Sequence, residues 1–233
     1  MPKTLSYALP ARVRSALVLA TIVRRGRSEH FSRTPENVVS LGFKHPRTKP
    51  LQVRKEILDF AYIVRDRKPK TLLEIGTNTG GTFFVLCQLA DPTGTVISLD
   101  LPSARFSSLS RTLSQKILLR YMPRRSQKKY FLEGDSHKAA SLVRVQEKLL
   151  GRKLDLLFID GDHSYEGVLQ DFEMYCPLVS QGGMVAFHDI AEHPKGSGCE
   201  VNRFWNEVKR RYPYREIMQD PLQGWAGIGI IYL

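Results

Sequence analysis

Five short apolar runs, each ending in a polar or acidic residue and each followed by a helical stripe, restrict this chain to one class of fold. They are TLLEIG (71–76), TVISLD (95–100), KYFLEG (129–134), LDLLFID (154–160) and GMVAFHD (183–189). LDLLFID is apolar enough to be buried on both faces, as the central strands of a parallel sheet are. Around these runs the apolar spacing turns helical. Val53, Ile57, Phe60, Ala61 and Val64 form a first stripe, ended by Pro69, and TFFVLCQLA (82–90) follows the first strand. Phe106, Leu109, Leu113 and Ile117 mark the next helix, then residues 138–150, then Tyr165, Val168, Leu169, Phe172 and Tyr175, and last Val201, Phe204, Trp205 and Val208. Such alternation predicts an α/β fold with a doubly wound, mostly parallel sheet. Two further runs, YREIMQ (214–219) and AGIGIIYL (226–233), flank a turn at Pro221 and Gly224. They predict a closing antiparallel hairpin and bring the strand count to seven.

The first 49 residues do not follow this pattern. They contain Pro2, Pro10, Pro35, Pro46 and Pro50 just beyond, with one helix expected near 11–24, and they read as a basic, partly helical arm ahead of a domain at 50–233. Of the net charge of +12, residues 1–70 carry +11, from 16 Lys and Arg against 5 Asp and Glu. Residues 101–132 form a second basic stretch, with Arg105, Arg111, Lys116, Arg120, Arg124, Arg125, Lys128 and Lys129 and no acid. That stretch keeps an acidic acceptor or a nucleic-acid backbone open as partners, although no RNA-binding signature accompanies it. ALVLATIV (16–23) is too short to cross a bilayer, which takes about 20 apolar residues. It reads as a helix that packs on the domain or covers a partner, with peripheral contact to an anionic membrane left open. Cys87, Cys176 and Cys199 are odd in number and lack CxxC spacing. This argues against a disulfide framework and a zinc module, and for a reducing, cytoplasmic compartment.

Ligands of open parallel sheets bind beyond the carboxyl ends of the strands. Five such ends here carry Glu74, Asp100, Asp135 with Ser136, Asp160, and His188 with Asp189. One acid at a strand end often caps the next helix; five along one edge suit a nucleoside that carries positive charge. Gly76 and Gly80 would let backbone approach that ligand. Thr82, at the start of a helix, could offer its hydroxyl to a carboxylate. Asp100 lies 24 residues beyond Gly76, where an acid grips ribose hydroxyls in nucleoside-binding βαβ units. Asp135 and Ser136 could meet an adenine edge, and Glu74 would attract an ammonium or sulfonium. No Lys or Arg stands between Lys70 and Arg105, so nothing in the glycine loop clamps phosphates. An NAD-dependent oxidoreductase is the alternative enzyme reading. It is disfavoured by Glu74 and by the absence of GxGxxG spacing.

LLEIGTNTGGT (72–82), VISLDLP (96–102), LEGDS (132–136), LLFIDGDHSYEGVLQD (156–171) and GGMVAFHDI (182–190) together resemble class I S-adenosylmethionine-dependent methyltransferases. The nearest likeness is to the cephalosporin-hydroxylase-like and macrolide or sugar O-methyltransferases, the methyltransferase family 24 type, and beyond them the catechol type. The resemblance covers about residues 50 to 233. It implies a Rossmann-like fold, S-adenosyl-L-methionine as cofactor, and O-methylation of a small-molecule or glycosidic hydroxyl. By the family pattern Glu74, Gly76, Asn78, Gly80 and Thr82 line the methionine end of the cofactor, Asp100 binds the ribose, and Ser136 lies by the adenine.

Catalysis is expected where FIDGDHSY (158–165) and FHDI (187–190) end neighbouring strands. His163 is the candidate general base, since an imidazole with a pKa of about 6.5 suits neutral pH. Asp162 or Ser164 would cap the following helix. Asp160, His188 and Asp189 are candidate ligands for Mg²⁺ or another divalent cation, with His188 standing where the catechol-like relatives have an acid. Asp160 and Asp189 are also counted with the catalytic residues, and Asp160 with the cofactor site. A methyltransferase-like scaffold held to a membrane or partner by its arm is the non-enzymatic alternative. Homo-oligomerisation stays open.

Overall fold

The computed structural model describes residues 10–102 and 109–233, the side chains of 109–114 excepted. Seven strands form one sheet: β1 (Thr71–Ile75), β2 (Thr95–Asp100), β3 (Lys128–Glu133), β4 (Leu154–Ile159), β5 (Val179–His188), β6 (Tyr214–Ile217) and β7 (Ile228–Tyr232). Their order is β3-β2-β1-β4-β5-β7-β6. β1 to β5 run parallel, while β7 is antiparallel to both β5 and β6. The expected α/β, mostly parallel sheet with a closing hairpin is the one observed. β5 begins at Val179, earlier than the 183–189 run suggests. Its register with β4 shifts between Leu154 and Leu156, which accommodates the polar Ser180–Gln181–Gly182 segment before the apolar run.

Among the described residues eight α-helices accompany the strands: α1 (Ala11–Arg27), α2 (Pro35–Gly42), α3 (Arg54–Arg67), α4 (Gly81–Leu89), α5 (Leu109–Tyr121), α6 (Ala139–Leu149), α7 (Tyr165–Tyr175) and α8 (Val201–Val208). Phe106 and Arg105 lie outside the described residues. The sheet separates two hydrophobic clusters, one against α2, α3 and α4 and the other against α6, α7 and α8. α4 (GTFFVLCQL) is apolar on nearly every side, and all nine residues are buried. A helix of that composition needs cover all round. It gets it from the sheet on one side and from α2 and α3 on the other, where Val38, Val39 and Leu41 join the same cluster.

α2 is absent from the apolar pattern of the sequence. Its signal is at its start, where the Thr34 side chain accepts from Asn37 N and Pro35 occupies the first turn. α1 is mostly exposed but seats Ile22 and Gly26. Arg33 fastens its end by donating to the carbonyls of Gly26 and Ser28 and to Gln88 of α4. Among the described residues no helix is long and apolar enough to cross a membrane.

Candidate functional site

The sheet order reverses between β1 and β4, which sends the chain to opposite sides and opens a crevice at their carboxyl ends. A cleft of about 1320 Å³ lies there. β1, β2 and β3 supply one half through Gly76–Thr79, Asp100 and Gly134–His137. β4, β5 and the β6–β7 loop supply the other through Asp160–Ser164, His188, Asp189 and Trp225. The segment between α2 and α3 adds Pro46, Arg47, Leu51 and Gln52.

In the first half, local backbone holds the acids. Asp100 accepts from Asn78 N at 2.7 Å and from Leu101 N at 2.8 Å. Asn78 presents its amide from a left-handed conformation, φ 48°, which asparagine tolerates better than most residues. Burial raises the Asp100 carboxyl, the two amides oppose this, and the charges of Asp160 and Glu133 add to it. Asp135 accepts from His137 N at 2.9 Å, and Ser136 is fixed through its carbonyl, which accepts from Tyr175 Oη. Asp100, Asp135, Ser136, Gly76, Asn78 and Thr82 all line the cleft.

Gly80 and Glu74 are placed differently from the sequence expectation, while Gly76 and Thr82 line the cleft but have structural partners as well. A Cβ on Gly76 would land on the backbone of Asp160 and Gly161, so this glycine is needed where β1 and β4 exit side by side. A Cβ on Gly80 would strike Leu119 and Met122. The space it leaves is filled by α5, not by ligand, and Gly80 is not among the cleft-lining residues. Thr82 donates its hydroxyl to Gln52 Oε1 at 2.7 Å. Glu74 lies within β1 beneath the cleft, 1% exposed, and its Oε2 has no hydrogen-bond partner among the described residues. Burial raises its carboxyl well above the usual range; a hydrogen bond with Thr77 opposes this, and the charges of Asp160 and Asp100 reinforce it.

The second half is held by side chains from separate elements. His188 Nδ1 stands 3.2 Å from Asp160 Oδ1 and 3.4 Å from Asp189 Oδ2. Burial works against a charged His188, but the two carboxylates prevail and push its pKa up to about 10. The same contacts overcome the burial penalty on Asp160, which is lowered, and on Asp189, which falls to about 2. His163 bridges the pair from the solvent side, with Nε2 3.5 Å from Asp160 Oδ1 and Nδ1 3.5 Å from Asp189 Oδ2. Contact with Asp160 raises its pKa, partly offset by burial. Asp162 accepts from Ser164 N, and the Ser164 side chain accepts from Gly167 N, so both serve the start of α7. Asp189 sits in a left-handed conformation, φ 62°, and accepts from Ala226 N. The sequence-identified residues therefore surround one hollow, except Glu74 and Gly80.

Residues 73–190, just over half of the chain, match the family described as "Methyltransferase domain". The chain belongs to this methyltransferase family. It is 25% identical over 178 residues, 73% of its length, to the uncharacterized protein y4gI of Sinorhizobium fredii (strain NBRC 101917 / NGR234). It is 45% identical over 40 residues, 17% of its length, to the uncharacterized protein R132 of Acanthamoeba polyphaga mimivirus. The matched part spans only 18% of the length of either relative. Among solved structures, the O-methyltransferase TomG of Streptomyces achromogenes, involved in tomaymycin synthesis and solved with SAM, shares the fold at a TM-score of 0.55. It is 15% identical, over 93% of this chain and 89% of that one. An O-methyltransferase of Bacillus cereus in complex with SAH aligns at a TM-score of 0.55 and 15% identity, over 97% of this chain and 93% of the other.

Three contributors to the cleft escape a sequence reading. Gln52 Nε2 donates to Asp160 Oδ2 at 3.2 Å while its Oε1 accepts from Thr82, joining residues 108 positions apart. His193 Nε2 lies 3.4 Å from Asp189 Oδ1. Trp225 comes in on the β6–β7 loop. Buried Glu56 holds that loop, accepting from Gln219 N, Gln223 Nε2 and Gly227 N. Each depends on an approach between distant segments, and none carries a local motif.

Proposed function

We propose that the chain is an S-adenosylmethionine-dependent O-methyltransferase of a small-molecule or glycosidic hydroxyl. The observation that supports this most is the division of one cleft into an acid-lined nucleoside half and an acid–histidine half. The charge of Asp160 raises the carboxyl of Asp100 across the hollow, and both raise that of Glu74 beneath it, so a ligand with positive charge among them is favoured. S-adenosylmethionine supplies an electrophilic methyl group on such a cation. Asp100 takes the ribose hydroxyls, Asp135 and Ser136 the adenine edge, and Gly76–Thr79 the methionine end. Glu74 acts from beneath, as a buried acid whose ionisation a nearby cation would favour. Transfer then needs a group to receive the acceptor's proton. His163 is that base: it is the most exposed of the clustered imidazoles, and Asp160 and Asp189 favour its protonated form.

Asp160, His188 and Asp189 each place one donor atom within 4.8 Å of the others. Two carboxylates and an imidazole suit a divalent transition ion better than Mg²⁺, which prefers oxygen. These three residues would hold such an ion, and it would polarise the acceptor oxygen. The deciding experiment is transfer of a labelled methyl group from S-adenosylmethionine into a panel of sugar, catechol, macrolide and RNA acceptors, with and without EDTA. Label in a sugar or catechol hydroxyl supports the reading, and label confined to RNA overturns it. Calorimetric titration with S-adenosylmethionine and with NAD tests the cofactor separately.

A further inference from the structure

The loop between β5 and α8 returns to the catalytic edge. Glu200 N donates to His163 O at 2.7 Å, and Cys199 N donates to Ser197 Oγ, so Cys199 is held against the turn that carries His163. The Cys199 sulfur, an imidazole nitrogen of His163 and a carboxylate oxygen of Asp189 all lie within 4.8 Å of one another. His193 faces the same Asp189 from the other side, 3.4 Å from Oδ1, and its buried Nε2 has no hydrogen-bond partner among the described residues. This donor set differs in kind from Asp160, His188 and Asp189. A thiolate and imidazoles select borderline and soft ions such as Zn²⁺, where oxygen sets suit Mg²⁺ or Ca²⁺.

We infer that His163, Asp189 and Cys199, with His193 beside them, form a binding site for Zn²⁺ or an ion of its class, and that the ion switches methyl transfer off. The inhibitory part rests on His163 being the base, since a nitrogen bound to the ion cannot take the acceptor's proton. Ion binding would also release the Cys199 thiol proton, because the thiolate is the ligand. Asp189 belongs to both donor sets, so an ion at Cys199 competes with one held by Asp160 and His188.

The test uses the full chain, treated with EDTA, freed of it and kept under a thiol-free reductant. Co²⁺ serves as the spectroscopic probe. The expected result is a thiolate-to-cobalt charge-transfer band that Zn²⁺ abolishes, that C176S retains and that C199S lacks. C199A is the second variant, and circular dichroism checks that both fold. Zn²⁺ should inhibit labelled methyl transfer by the native chain. C199S should keep the basal rate and need about tenfold or more Zn²⁺ for the same inhibition. A band that never forms, or that survives in folded C199S and C199A, overturns the site; inhibition unchanged by C199S overturns the switch. Titration with S-adenosylmethionine separates the two readings. A chain that binds the cofactor without a cobalt band fails only this inference, while a chain with the band that binds no cofactor fails only the enzyme reading.

Discussion

The two halves of the cleft are assembled by different means. On the β1–β3 side each acid is bonded to an amide one to two residues along its own turn or on the adjacent loop: Asp135 to His137 N, Asp100 to Leu101 N and Asn78 N. On the β4–β5 side Asp160, His163, His188, Asp189 and His193 hold one another through side chains, in a network of carboxylates and imidazoles. Amide-bound acids are set by chain geometry and can change singly. A charge network is collective, so removal of one member leaves the others uncompensated. Mutations of the buried members should therefore hit stability and turnover together on the second side, and mutations on the first side ligand affinity alone.

The largest effect is expected from Asp160→Ala. It removes the nearest carboxylate to His188, 3.2 Å away, and leaves a buried imidazolium facing Asp189 alone. Loss of one partner of a buried pair costs about 3–5 kcal/mol. Urea unfolding should show that loss, with methyl transfer abolished; a drop of under about 1 kcal/mol would mean that the network is not coupled. His163→Ala comes next. His163 is the outermost member, so stability should hardly change while turnover falls about 10²–10⁴-fold, the usual contribution of a general base. Calorimetry should find the affinity for S-adenosylmethionine unchanged. Turnover equal to the native rate would remove His163 from the mechanism.

The same difference explains how much could be read from the sequence. The strand ends of the first half announce themselves through short-range pattern, since an apolar run, an acid and a glycine turn lie within a dozen residues. Asp100, Asp135 and Ser136 were legible for that reason, and so was the sheet. Glu74 and Gly80 carry the same pattern, yet one side chain turns into the core and the other position is packed by α5, because strand alternation and helix docking decide which face is used. In the second half Asp160, His163, His188 and Asp189 were legible as residues, but not their mutual distances. Gln52, His193 and Cys199 were not legible at all, since they arrive on segments whose paths depend on the packed core. α2 was missed because eight residues are too few for a stripe, although Thr34 and Pro35 signal its start.

A smaller effect is expected at the seam between the halves. Asp171 of α7 is fully buried beneath Gly161, with His137 Nε2 at 3.4 Å. Burial pushes its carboxyl up to about 6 from an ordinary 3.8; Ser136 and His137 oppose this, and Asp162 and Asp135 add to it. Because the folded value is the higher one, the native chain retains a proton that the unfolded chain has lost between those two values. Its contribution is complete below about pH 4 and is lost as pH rises through about 6. Asp171→Asn should thus be more stable than the native chain at pH 8, by up to about 3 kcal/mol, with the gap closing toward pH 4. A gap independent of pH would show that the carboxyl does not titrate as described.

The smallest effect is expected where the comparison is cleanest, at Asp100. Asparagine there keeps one oxygen, enough for either the Asn78 amide or the Leu101 amide, which now bond different carboxylate oxygens, and it removes the charge offered to a cationic nucleoside. Affinity for S-adenosylmethionine should fall about tenfold, close to 1.4 kcal/mol, with turnover at saturating cofactor preserved. Unfolding should be little affected, because neutralising a carboxylate whose ionisation burial opposes offsets the one amide bond that is lost. Combined with Asp160→Asn, the affinity losses should fall short of additive, since the charge of Asp160 disfavours that of Asp100. If Asp100→Asn instead cut turnover while binding stayed intact, the first half would be acting on the chemical step, and the division of labour between amide-held and network-held acids would fail.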